Sequence, residues 1–186
     1  MADIFEPQGI YHVYNRAIGD EKLFKSNDNF LYFLEKFNFY LGDKVETLAY
    51  CLIPNHYHFL IKVNSDISDD HLVKAFSDFQ NSYSKSYNKV FSRNGSLVQR
   101  KFKRKKIKSE EYLTRIVIYI HQNPVKHQLT KRPFDWKYSS FQAYLSEKPS
   151  KVSRKLVLEW FGGLEGFKTA HQENVENFTP EDFLFE

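Results

Sequence analysis

Residues 47–63, TLAYCLIPNHYHFLIKV, contain two short apolar runs broken only at Pro54-Asn55. Runs of this length on either side of a turn dipeptide read as two neighbouring β-strands. Alternate residues of a strand share a face. His56, His58, Leu60 and Lys62 therefore point one way, and Tyr57, Phe59, Ile61 and Val63 point to the core side. The two imidazoles can converge on one ion, but two ligands do not hold a divalent metal firmly, so a third donor has to come from elsewhere in the chain. The His-x-His pattern alone is weakly specific, and the plain alternative is a pair of surface histidines beside a turn.

With 186 residues, 41% of them hydrophobic, the chain suits one domain with a real core and a C-terminal elaboration. The single Cys51 lies inside an apolar strand, which rules out an intrachain disulfide and fits a small buried side chain in a reducing compartment. The start, MADIFEPQGI, has neither a basic beginning nor an apolar run of signal length, and no later run approaches the roughly 20 residues of a membrane span. A soluble cytoplasmic protein is expected. Net charge is +4, unevenly spread: residues 171–186 hold five acids and no Lys or Arg, leaving 18 acidic against 27 basic residues in the first 170. A basic body with an acidic end suits a polyanionic partner. Aromatics make up 17% of the chain; most belong to a core, and aromatics among cations also suit single-stranded nucleic acid.

In chain order, Gly9–Ala17 alternates as a first strand, and Gly19-Asp20 turns the chain. Ser26-Asn27-Asp28 caps a helix whose Phe30, Phe33, Phe37 and Leu41 recur at helical spacing until Gly42. Strands at 45–53 and 56–63 follow. Ser68 caps a second helix with Leu72, Phe76, Phe79, Tyr83, Tyr87 and Val90 on one stripe. After the Asn94-Gly95 turn, residues 95–107 read as a fourth strand, and seven of the nine residues from Arg100 to Lys108 are Lys or Arg. A charge run is commonly a solvated face, yet one this dense also attracts a phosphate backbone. The element order predicts an α+β, ferredoxin-like (RRM-like) fold: an antiparallel sheet with helices on one face and the other face open.

A third helix starts at Ser109 and is expected to end at Asn123-Pro124, since a residue before proline is pushed out of helical geometry. Leu113, Ile116, Val117 and Ile120 form its apolar stripe; beside it run Tyr112, Arg115, Tyr119 and Asn123. If this helix docks over the histidines, Tyr119 offers a nucleophile and Asn123 an amide oxygen as third ligand. Otherwise Tyr119 is a border residue of an amphipathic helix and Asn123 a cap before proline.

Pro54-Asn55-His56-Tyr57-His58, Gly95-Ser96-Leu97 with Gln99 and Phe102, and Tyr119-Ile120-His121-Gln122-Asn123-Pro124-Val125 together resemble the single-tyrosine HUH transposases, in particular the REP-associated tyrosine transposases. The early YHVYNRA and Trp136-Lys137-Tyr138-Ser139-Ser140 extend the resemblance over residues 9–145. It implies an endonuclease and strand transferase acting on single-stranded or hairpin DNA, as a monomer or homodimer, with Mg²⁺ or Mn²⁺ and a covalent 5′-phosphotyrosine intermediate. On matching positions, His56, His58 and Asn123 hold the metal and Tyr119 is the nucleophile. Arg16, Lys62, Arg100, Lys101, Lys103, Arg104, Lys105, Lys106 and Arg115 are the cations expected to meet DNA. Residues 1–145 would form the transposase domain, and 146–186 a helical extension with an acidic tail. The competing readings are a noncatalytic nucleic-acid-binding protein derived from a transposase and a metal-dependent hydrolase that uses water. The tail combines its acids with Phe178, Phe183, Leu184 and Phe185, which suggests either docking on the body near the basic surface or aromatics that complete the core while the acids face water.

Overall fold

Period-two alternation carries Ile10–Arg16 into β1, and the two apolar runs form β2 (Val45–Ile53) and β3 (His56–Val63), split where Pro54-Asn55 predicts. The computed structural model describes residues 3–173, and the expectations for the acidic tail from 174 onward lie outside them. β4 is shorter than expected, Lys103–Lys106 only, with one isolated bridge between Val98 and Ala17 ahead of it. Arg93 explains part of the difference: its guanidinium takes the Gly95 and Ser96 carbonyls (3.2 and 2.9 Å), and Gly95 has φ +84°, so this stretch is held as a turn. The four strands make one antiparallel sheet in the order β2-β3-β1-β4, the ferredoxin-like arrangement.

α1 (Asn27–Leu41) begins behind Ser26, whose backbone N–H donates to the Asn29 side-chain oxygen (3.2 Å), and stops at Gly42. α2 spans Asp69–Val90. Their stripes, from Phe33, Phe37 and Leu41 and from Leu72, Phe76, Phe79 and Tyr83, pack on Tyr11, Val13, Tyr57, Phe59 and Ile61 of the sheet. Val90, expected on the α2 stripe, is the last residue of that helix and is exposed.

The opposite face is not open along its whole width, as the sequence suggested. A register shift between Thr47 and Ala49 brings both Leu48 and Ala49 to this side, followed by Cys51 and Ile53, so β2 presents an apolar patch that water disfavours. α3 (Glu110–Lys126) covers it with Ile116, Val117 and Ile120. α4 (Phe141–Tyr144) and, from the helical extension, α5 (Arg154–Trp160) and α6 (Leu164–Glu173) complete this second core with Phe141, Tyr144, Val157 and Phe167. Burial pushes the Cys51 thiol up and leaves it inert. The outer edge of β2 is closed by the chain itself, through Leu52 N–H to Tyr138, Ser140 N–H to Tyr50 and Ser153 N–H to Thr47. Among the described residues no helix is long and apolar enough to cross a membrane.

The third helix also runs past its expected end. Pro124 sits inside α3, which continues to Lys126 and is closed by His127 N–H to the Asn123 carbonyl (3.0 Å) and by Gln128 at φ 56°. Proline removes one N–H from a helix and strains the preceding turn, a cost of about 3 kcal/mol in a helix interior. Here it falls in the last turn, where few intrahelical bonds remain to be broken, and the buried residues just before it hold the backbone in place.

A buried chain of polar groups ties α3 to α6. Phe167 carbonyl accepts from His171 Nδ1 (2.8 Å); His171 Nε2 must then accept from His121 Nδ1 (2.9 Å), and His121 Nε2 from Ser140 Oγ (2.7 Å). Every bond is made with both imidazoles neutral. Burial pushes His171 down from 6.5 to about 4 and His121 well below its ordinary value. Because the folded values are depressed, the unfolded chain binds more protons between pH 4 and 6.5, and stability falls as pH falls through that window. His171 alone accounts for about 3 kcal/mol. Urea titrations should show that decline in the wild type and a shallower pH dependence in His171→Leu; coincident slopes would contradict the neutral chain.

Candidate active site

Three strands and one helix end bring the polar residues of the second face together. In the β1–β3 register Arg16 lies opposite His56 and Tyr14 opposite His58, and in the β1–β4 register Tyr14 meets Lys103 and His12 meets Lys105. Directly opposed residues share a face. The edge of this face that α3 leaves beside β1 and β4 is therefore lined by Tyr14, Arg16, Lys103 and Lys105, with His12, His56 and His58 buried at the border (3%, 7% and 1% exposed). A cavity of about 60 Å³ opens here, lined among others by Arg16, Asn55, His56, His58, Lys103 and His127.

α3 supplies the rest. Tyr119 packs edge-on against His58, ring centroids 5.6 Å apart, and against His12 at 6.0 Å. One turn later the Asn123 amide nitrogen donates to the Tyr119 carbonyl (3.0 Å), which turns its oxygen to His56 Nε2 at 3.3 Å. On its other side His56 Nδ1 lies 2.9 Å from the Asn55 side-chain oxygen. A neutral imidazole carries one N–H. Placed on Nδ1, against the nearer oxygen, it leaves the Nε2 lone pair facing the Asn123 oxygen, two donors that a cation between them would satisfy; placed on Nε2, it donates to that oxygen. Two ligands at right angles on an octahedral ion with bonds of about 2.1 Å stand about 3.0 Å apart, close to the spacing found. His56 and His58 have ring centroids 5.0 Å apart on the same face. This donor set fits a divalent cation held by two imidazoles and an amide. Among the described residues no three His, Cys, Asp or Glu side chains are grouped to hold an ion.

The expected quartet His56, His58, Tyr119 and Asn123 is thus gathered within one chain. The expected cations are not. Arg16 and Lys103 line the cavity, Lys105 shares its face, and Arg100 and Lys101 are exposed on the segment leading into β4. Lys62 lies six residues along β3 from His56, about 20 Å away, and pairs with Glu46 (3.5 Å). Arg104 and Lys106 alternate to the α1/α2 side, opposite Val13 and Tyr11. There Arg104 stacks over Phe5 and meets Asp69 (3.2 Å) and the Asp3 carbonyl, while Lys106 pairs with Glu6. Arg115 is exposed and paired with Glu111. The cation over the Tyr119 ring is instead Lys126, at 4.5 Å. Lys126 and His127, whose ring stands 4.8 Å from that of His56, escape a sequence reading that ends the helix at Pro124. Their i+7 and i+8 spacing from Tyr119 is the available signal. His12 shows in the sequence only as an alternating strand residue.

The ferredoxin-like sheet thus presents two imidazoles, an amide and a tyrosine together beside α3. Known proteins agree with the resemblance read from the motifs. No protein-family model matches the chain. A Haemophilus influenzae (strain ATCC 51907 / DSM 11121 / KW20 / Rd) protein whose name assigns it to the REP-associated tyrosine transposases is 29% identical over 105 residues, covering 52% of this chain and 58% of the relative. The chain therefore spans little more than half of that relative. A solved structure of a REP-associated tyrosine transposase bound to a REP hairpin superposes with a TM-score of 0.64 at 19% identity, covering 80% of this chain and 87% of that one. The chain resembles these transposases in sequence and shares their fold.

The division of the cation run has a direct check. Arg104→Gln should cost about 1 to 2 kcal/mol in denaturant titrations, since it removes charge-assisted bonds to Asp69 and the Asp3 carbonyl. Lys105→Gln, on the other face, should stay within about 0.5 kcal/mol of wild type.

Proposed function

We propose that the protein is a metal-dependent endonuclease and strand transferase of the HUH single-tyrosine kind, acting on single-stranded DNA beside hairpins. The observation that carries this reading is the placement of Tyr119 against His58 with Asn123, one turn on, turned to His56. Packing alone needs no such convergence of a phenol, two imidazoles and an oriented amide.

His56, His58 and Asn123 would hold the ion. When bound, it draws charge from a nonbridging phosphate oxygen and orients the phosphorus for in-line attack. The Tyr119 oxygen attacks phosphorus and the P–O3′ bond breaks, giving a 5′-phosphotyrosine and a free 3′-hydroxyl. The phenol gives up a proton and the leaving oxygen gains one, so the step is proton-neutral overall and the same groups run it backwards onto a second 3′-hydroxyl. Lys126 over the ring favours the developing phenolate charge. Arg16, Lys103 and Lys105, with Arg100 and Lys101 on the approach, lead the strand's phosphates along the uncovered edge beside β1 and β4.

Incubation with hairpin-bearing single strands and Mn²⁺ or Mg²⁺, followed by a denaturing gel, tests the reaction. Wild type should give a covalent adduct, Tyr119→Phe none, and Tyr112→Phe a normal one; Tyr119→Phe should still bind DNA. Binding without any adduct would leave a noncatalytic binding protein.

The path of the strand has its own test. Lys103→Gln with Lys105→Gln should weaken binding to all sequences alike and reduce the slope of log K against log salt by about 1.4, about 0.7 for each phosphate that is no longer neutralised. An unchanged slope would place the strand elsewhere.

A further inference from the structure

We infer that His12 is a positioning residue for His58: its Nε2 accepts the His58 Nδ1–H and so commits His58 Nε2 to the lone-pair form that a metal ligand needs. The inference rests on the metal reading above. His12 and His58 occupy diagonal positions on β1 and β3, where Tyr14 is the direct neighbour of His58 and Leu60 that of His12. Their facing nitrogens are 2.8 Å apart, and both rings are buried. At that distance one N–H lies between them, and its direction decides the chemistry. If His12 donates, His58 Nδ1 is covered and Nε2 carries the proton, and neither nitrogen can take an ion. If His58 donates, Nε2 is basic.

The His12 ring is fixed for this task. Its plane lies within 16° of that of His58, ring centroids 5.0 Å apart, the edge-to-edge arrangement of an in-plane N–H···N bond; it stacks on Tyr14 (4.7 Å, 21°), and Tyr119 meets it edge-on (6.0 Å, 79°). One side chain thus sits against a metal ligand and the nucleophile together. Groups that accept the second N–H of a ligating histidine fix its tautomer and raise its basicity, and removing them weakens metal binding by about 10- to 100-fold.

The test uses the full chain without DNA, with Mn²⁺ affinity read by calorimetry and folding by thermal melting. His12→Phe keeps a flat ring and removes the acceptor; His12→Gln places an amide oxygen near the position of the missing Nε2; His58→Ala is the reference. The expected result is Mn²⁺ binding about 10- to 100-fold weaker in His12→Phe, near wild type in His12→Gln and weakest in His58→Ala. A packing role predicts the reverse order for the two His12 variants and would overturn the inference. Tight wild-type binding that His58→Ala does not weaken would instead sink the metal reading, and the inference with it. Should His12→Phe not fold, long-range ¹⁵N–¹H spectra of the wild type above pH 7.5 decide the matter: a proton on His58 Nε2 overturns the assignment, and one on Nδ1 upholds it.

Discussion

The pairing of β1 with β3 is the interaction on which both halves of the molecule depend. Its register sets Tyr11 and Val13 beside Ile61 and Phe59 on one side of the sheet, and Tyr14 and Arg16 beside His58 and His56 on the other. A slip by one residue would turn every one of these side chains over, placing imidazoles in an aromatic core and phenyl rings at the site. The apolar side fixes the register through burial, and the polar side inherits its geometry from that choice. The site is accurate because the core beneath it tolerates no other pairing.

A second dependence runs through α3. The bulge in β2 creates the apolar patch that the helix covers, and covering it brings Tyr119 and Asn123 over the histidines. The Asn123 side chain is then oriented by the helix's own backbone, at the Tyr119 carbonyl, so the proposed nucleophile and the candidate ligand are placed by the same turn. The continuation of the helix past Pro124 adds Lys126 and His127 to the same surroundings.

Strong local signals make much of this legible in the sequence. The Pro54-Asn55 break, the Ser26 and Gly42 helix limits and the aromatic stripes of α1 and α2 are short-range features, and the elements lie where they indicate. The His-x-His and Tyr-x-x-x-Asn spacings likewise lie each within one element. What is not legible depends on long-range packing: the bulge that closes half of the second face, the burial that keeps α3 helical through a proline, and the diagonal meeting of His12 and His58. Charge counting fails for a different reason. Composition registers seven cations between Arg100 and Lys108, whereas the pleat sends Lys103 and Lys105 one way and Arg104 and Lys106 the other, where carboxylates of the N-terminal segment and α2 meet them.

The two rims of the sheet are unlike each other. Along β2, the backbone groups that would invite a foreign strand are taken by residues 138–140 and 153 of the same chain. Along β4, the other rim among the described residues, the strand is four residues long and all four are Lys or Arg. Short, cationic borders repel a second copy approaching edge to edge. The sheet is thereby guarded against runaway β-stacking at both ends, so a strongly aromatic chain carries its protection against aggregation in the design of its strands.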